Sequence, residues 1–184
     1  MFDIEPVTTE HETACGPASL KMLLDYYGIK VPLETLIEEC GVKINGCTGA
    51  DLLRVGRAHG LDMLAYRMDA DEVMRQDRPA ICWWKFQHFI VFAGMNEKGE
   101  PVICNPSRGR YPIDAQSFAS FYSDVAFFNG EPADMPDGWT VDEDIEKGAF
   151  FLHNDTVWQA VQAIPKGALA IPRKNCVRKT LNDI

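Results

Sequence analysis

Thr13-Ala14-Cys15-Gly16-Pro17-Ala18-Ser19-Leu20-Lys21-Met22-Leu23-Leu24-Asp25-Tyr26-Tyr27-Gly28 is the stretch on which the reading of this chain turns. Leu20, Leu23, Leu24 and Tyr27 recur at i, i+3, i+4 and i+7, which is one apolar face of a helix. Pro17 suits a first turn and Gly28 a stop. A helix over 16–27 is therefore expected, with Cys15 directly before it. A helix N-terminus carries partial positive charge and unbonded N–H groups. Both favour the thiolate, which is the reactive form of cysteine. Gly16 would let a substrate backbone come close. On position alone, Cys15 reads equally well as a buried packing thiol.

Outward from this stretch the pattern is helical first and extended later. Leu33, Leu36, Ile37 and Cys40 share a face over 32–40, closed by Gly41. Thr48, with Asp51 three positions on, signals a capping box for a helix ending at Gly60. A strand is expected over 62–68 and a short helix over 69–76. Strands over 79–84 and 88–94 follow, then a turn at Asn96-Glu97-Lys98-Gly99 and a returning strand over 101–105. Asn105-Pro106-Ser107 breaks it, before a helix over 114–122 and a strand over 125–128. Helices followed by an antiparallel sheet make an α+β order. After Phe128 the composition shifts. Residues 1–128 read as one domain, 129–147 as an acidic Pro/Gly linker, and 148–184 as a small β-rich module.

Composition limits the function classes. A net charge of -9 disfavours nucleic acid and anionic lipid as partners, since both require Lys and Arg. No apolar run reaches the length of a membrane span, and Met1-Phe2-Asp3-Ile4 does not begin a signal peptide. The expected location is cytoplasmic or virion-associated. The six cysteines form no C-x-x-C pair and read as reduced thiols. Cys15, Cys40 and Cys47 lack the paired spacing of a structural zinc site, so no metal and no cofactor are expected.

His88 opens an apolar strand, where it could simply be an edge histidine. With the turn at Glu97-Lys98, paired positions across the hairpin sum to 195, so Asn105 stands opposite Ile90. Residues two apart share a face. Asn105 and His88 are then diagonal neighbours, about 7–8 Å apart at their backbones and within side-chain reach. An amide oxygen can accept from the imidazole N–H and turn the other ring nitrogen toward a thiol. Asn105 also suits the opening of an Asn-Pro turn, and the two roles are compatible.

The stretch 13–28 resembles the catalytic Cys segment of the bacteriocin-processing, double-glycine peptidases of the papain-like cysteine peptidase superfamily. Further pieces follow in that family's order. They are Gly46-Cys47-Thr48-Gly49 through Ala58-His59-Gly60-Leu61, Pro79-Ala80-Ile81 before His88-Phe89-Ile90-Val91-Phe92, Cys104-Asn105-Pro106-Ser107-Arg108-Gly109, and Phe118 with Phe121. The resemblance covers about residues 6–128 and implies a papain-like fold. It implies that Cys15 and His88 are catalytic and that Asn105 orients the histidine where Asp is common. Gly16, Gly49, Trp84 and Gln87 are the expected substrate-groove residues, while Trp83-Trp84 reads also as strand packing. The Gln usual six residues before the Cys is Thr9 here. The oxyanion hole would then rest on the Cys15 backbone N–H with Thr9, and losing one such donor costs on the order of a hundredfold in rate.

The tail, from Phe150-Phe151-Leu152-His153 through Trp158 to Asn175-Cys176, resembles a C-terminal module of phage tail-associated proteins. That implies a phage virion or cell-envelope partner. The reading is a cysteine peptidase hydrolysing peptide bonds of a peptide or protein substrate through an acyl-enzyme. The alternatives are an acyl-transfer enzyme, isopeptidase or amidase on the same fold, and a weak or inactive peptide-binding or phage structural protein. Thr9 and the tail favour the last.

Overall fold

The computed structural model describes residues 1–132 other than Glu12, Asn45 and Phe86, together with a strand at 167–169. Helix α1 (Cys15–Tyr26) contains no β-branched residue and buries Gly16 through Leu20 and Met22 through Leu24. Gly28 at φ +79° ends it, with its amide on the Asp25 carbonyl and that of Ile29 on the Leu24 carbonyl. Pro32 caps α2 (Leu33–Glu39) rather than opening it. Helix α3 (Gly49–Ala58) carries the capping box, with the Asp51 amide donating to Thr48 Oγ1 at 3.0 Å and the Thr48 amide to Asp51 Oδ2 at 3.1 Å.

Strands β1 (Met63–Arg67), β2 (Ala80–Trp84), β3 (His88–Met95), β4 (Pro101–Asn105), β5 (Gly109–Pro112), β6 (Tyr122–Asn129) and β7 (Gly167–Leu169) form an antiparallel sheet in the order β5-β4-β3-β2-β6-β1-β7. Helices α4 (Ala70–Met74) and α5 (Ala115–Phe121) complete the described elements. Side chains alternate across each strand, so the sheet has two apolar faces. Ile81, Trp83, Phe89, Val91 and Phe127 pack with Leu20, Leu24 and Leu52 of α1 and α3. Cys82, Trp84, Ile90, Phe92 and Phe128 join Phe118 and Tyr122 in a second cluster. Phe89 is 2% exposed, with its ring centroid 4.5 Å from that of Trp83 and 6.0 Å from that of Phe127. A one-residue slip of β3 would throw Phe89 to the other face, at about 2–3 kcal/mol for that ring alone. The same slip would carry off His88, so the register of the core sets the register of the site.

Two departures from the sequence expectation lie in the sheet. Residues 109–112 form strand β5, which the sequence pattern missed. The strand is short, lies on the sheet edge and ends in proline, so no apolar alternation marks it. Strand β6 begins at Tyr122, directly after α5, and runs to Asn129, whose Oδ1 accepts from the Asp62 amide at 2.6 Å. The N-terminal residues lie along the β3–β5 side. The Phe2 amide donates to the Ala93 carbonyl at 2.7 Å, and the Arg110 guanidinium donates to the Ile4 and Phe2 carbonyls at 2.7 and 2.9 Å. The tail motif around Trp158 and most of the expected linker and module lie outside the described residues. Within that span Gly167–Leu169 pairs with β1.

Candidate active site

Cys15 is the first residue of α1 and is partly buried. Burial pushes its thiol above the ordinary 9.0, while backbone hydrogen bonds with Phe89, Gly16 and Cys15 itself pull it down. The helix-terminus effect expected from the sequence is present, and desolvation outweighs it. The contact with the Phe89 backbone puts the thiol beside the residue that follows His88.

His88 opens β3, directly opposite Trp84 of β2. The β3–β4 pairing joins Val91 to Cys104 and Phe92 to Ile103, a sum of 195, before it shifts near Met95. On this face His88 Nε2 lies 2.9 Å from Asn105 Oδ1. The Ser107 amide lies 2.8 Å from the same oxygen. A backbone N–H can only donate, so this end of the amide is the oxygen. Nε2 therefore carries the ring proton, and in the neutral ring Nδ1 is left with a free lone pair. The other end of the amide, Nδ2, donates to the Tyr111 hydroxyl at 3.2 Å. Burial lowers the His88 pKa below 6.5, the Asn105 hydrogen bond opposes this, and the Arg108 charge adds to it. Burial thus favours the neutral form of both groups, which suits a histidine that takes the thiol proton during attack.

Of the expected groove residues, Trp84 borders a cavity of about 850 Å³ that is also lined by His88, Asn105, Arg108, Tyr111 and Phe121. Gly16, Gly49 and Gln87 are not among its lining residues. Gly16 is buried, and a Cβ there would lie 2.5 Å from Cys47 Sγ and 3.3 Å from the Leu52 and Phe89 side chains. Its missing side chain makes room for the core rather than for a substrate. Gly49 is the buried first residue of α3. Gln87 is exposed and held at φ +57°, a left-handed conformation beside His88. The Thr9 amide donates to the Pro106 carbonyl at 2.9 Å, and its hydroxyl accepts from the His11 amide at 3.0 Å. The first of these bonds ties the segment before the cysteine to the turn after Asn105. Sequence reasoning missed Arg108, Tyr111 and the Cys47 contact. Hairpin arithmetic extended across 106–108 would have found Tyr111. No group of three or more metal-binding side chains occurs among the described residues, and no described helix is long and apolar enough to cross a membrane.

The site has a pH signature in stability. The unfolded chain takes up a proton at His88 near pH 6.5, which the folded protein refuses until lower pH. Stability from this group is present above 6.5 and lost as pH falls through the folded value. The Cys15 thiol, raised by burial, and the Cys104 thiol, which burial pushes up to about 11, act oppositely: their stability is present below 9.0 and lost as pH rises through the folded values. Urea midpoints should fall on both sides, and the acid fall should shrink in His88→Ala. An identical acid limb in wild type and variant would refute the assignment.

The family described as "Peptidase C39 family" matches residues 3–133. The colicin V secretion/processing ATP-binding protein of Escherichia coli is 28% identical over 122 residues, covering 66% of this chain and 17% of its own length. The lactococcin-G-processing and transport ATP-binding protein of Lactococcus lactis subsp. lactis is 24% identical over 126 residues, 65% of this chain and 18% of its own. The chain thus spans under a fifth of the length of these relatives. Among solved structures, a double glycine motif protease from a transporter, in complex with the leader peptide, superposes with TM-score 0.66 and 29% identity. That superposition covers 69% of this chain and 91% of the protease. The peptidase domain of Streptococcus ComA superposes with TM-score 0.63 at 19% identity, covering 68% of this chain and 96% of that domain, a likeness of fold.

Proposed function

This chain belongs to the peptidase C39 family, and from that premise we propose that it hydrolyses peptide bonds with Cys15 as nucleophile, His88 as base and Asn105 as the group that orients the histidine. The observation that carries the reading is the His88–Asn105 hydrogen bond at 2.9 Å with the amide oxygen pinned by Ser107. It leaves Nδ1 as the free base. In this mechanism the Cys15 proton passes to Nδ1 as sulfur bonds the substrate carbonyl carbon. Collapse expels the amine, which takes that proton, and leaves a thioester. Water then attacks with His88 again as base, freeing a carboxylate and the thiol. The Cys15 backbone N–H and Thr9 are the proposed donors to the oxyanion.

A peptide segment is the substrate class, by analogy with the leader peptide held by the similar protease. The chain has no Gly-Gly pair of its own, so self-cleavage at such a pair is not part of the proposal. The test is a peptide library that includes Gly-Gly leader-type sequences, digested by wild type beside Cys15→Ala and read by mass spectrometry. Products formed only by wild type are expected. Identical product sets from the two proteins would sink the reading.

A further inference from the structure

We propose that Tyr111 is a positioning residue for this site, anchoring the Asn105 amide in the place where its oxygen keeps the His88 ring proton on Nε2. The inference rests on the peptidase reading above and deepens it. Three adjacent strands build the arrangement. Asn105 is diagonal to His88 across β3 and β4. The β4–β5 pairing sets Tyr111 opposite Ile103 and Gly109 opposite Asn105, so Tyr111 is diagonal to Asn105 on the same face. The result is a row in which Nε2 meets Oδ1 at 2.9 Å and Nδ2 meets the Tyr111 hydroxyl at 3.2 Å. All three side chains border the same cavity.

The need for such a residue follows from the chemistry of an amide. A carboxylate offers two acceptor oxygens, and either can receive the imidazole N–H. An amide offers one acceptor end and one donor end. Were Asn105 inverted, Nδ2 would donate to His88 Nε2, and the ring proton would move to Nδ1. The base would then carry a proton where it needs a lone pair. The Ser107 amide opposes inversion from the oxygen end. A phenol hydroxyl can accept or donate, so Ser107 selects the orientation; Tyr111, accepting from Nδ2 at 3.2 Å, anchors the far end of the amide and stops it from rotating away from His88. Strand β5 thus has a task in the site as well as at the sheet edge.

The test uses the whole chain with 15N-labelled histidine at a pH where His88 is neutral. Ring-nitrogen shifts should report the Nε2–H form in wild type. Tyr111→Phe should populate the Nδ1–H form and lower kcat/KM about fivefold, the loss of one neutral hydrogen bond. In the Asn105→Asp background, adding Tyr111→Phe should leave the Nε2–H form unchanged, because a carboxylate cannot present a donor. Tyr111→Met is a second variant without the hydroxyl, should Tyr111→Phe fold poorly. A wild-type tautomer in the hydroxyl-less variants overturns the proposal. An equal tautomer shift in the Asn105→Asp background overturns it too, since that marks general disruption. The spectra need no turnover, so a lack of peptidase activity in the wild type itself would defeat the enzymatic reading and still leave the role of Tyr111 decided.

Discussion

His88→Ala lowers kcat/KM by about 10⁴-fold or more while the protein remains folded. The size follows from losing the only base the proposal assigns to the site. General-base transfer alone is worth about 10²–10⁴-fold, and members of a catalytic set that act as a unit cost more when one is removed. In wild type the imidazole is favoured neutral by burial, with its proton on Nε2 and a lone pair on Nδ1. Its hydrogen-bond partner cannot take over the role, because Asn105 accepts and donates but does not titrate. The fold survives because His88 is only partly buried at the start of β3, and Asn105 keeps its bond from the Ser107 amide. Combining His88→Ala with Cys15→Ala should cost no more than Cys15→Ala alone. Steady-state kinetics with a single cleaved peptide checks both statements. Full activity in His88→Ala would remove the histidine from the mechanism, and additive losses in the double variant would mean that the two residues act separately.

Gly16→Ala is expected to cost about 1–3 kcal/mol of stability, the usual range for overpacking a filled core. The added Cβ would sit 2.5 Å from Cys47 Sγ, with Leu52 and Phe89 at 3.3 Å closing the other sides. Cys47 has little room to swing aside, since it is only 4% exposed. Helix α1 must therefore lift from α3 and β3, and the residue before Gly16 is Cys15. A shift of about 1 Å at a nucleophile can cost about a hundredfold in rate. Activity should fall along with the urea midpoint. Cys47→Ala placed in the Gly16→Ala background removes the clashing sulfur and should restore part of both. A Gly16→Ala protein of wild-type stability would show that the contact is not a constraint.

Much of the site was legible because short-range rules govern its pieces. The i, i+3, i+4, i+7 pattern with Gly28 as stop marks α1, and Thr48 with Asp51 marks the start of α3. The turn at Glu97-Lys98 brought His88 and Asn105 together by counting alone, since side chains in a hairpin repeat every two residues. Strand β5 was not legible. Four residues ending in proline at a sheet edge carry no periodic signal, and with the strand went Tyr111. Gly16 was misread for another reason. A glycine beside a nucleophile suggests room for a substrate, but which atoms fill that room depends on Cys47 and Phe89, residues 31 and 73 positions away in the chain.

The state of the Cys15 thiol, on which the reading began, divides in the same way. The sequence by itself determined that a cysteine stands at the start of an amphipathic helix, because helix periodicity and its stop signal are local properties. That position supplies backbone donors to the sulfur. The tertiary structure alone decided that burial outweighs them, that the amide of Asn105 faces His88 oxygen-first, and that Tyr111 braces its other end. Desolvation and amide orientation depend on what other strands and helices bring within a few ångströms. No spacing along one chain specifies that until the sheet has closed its register.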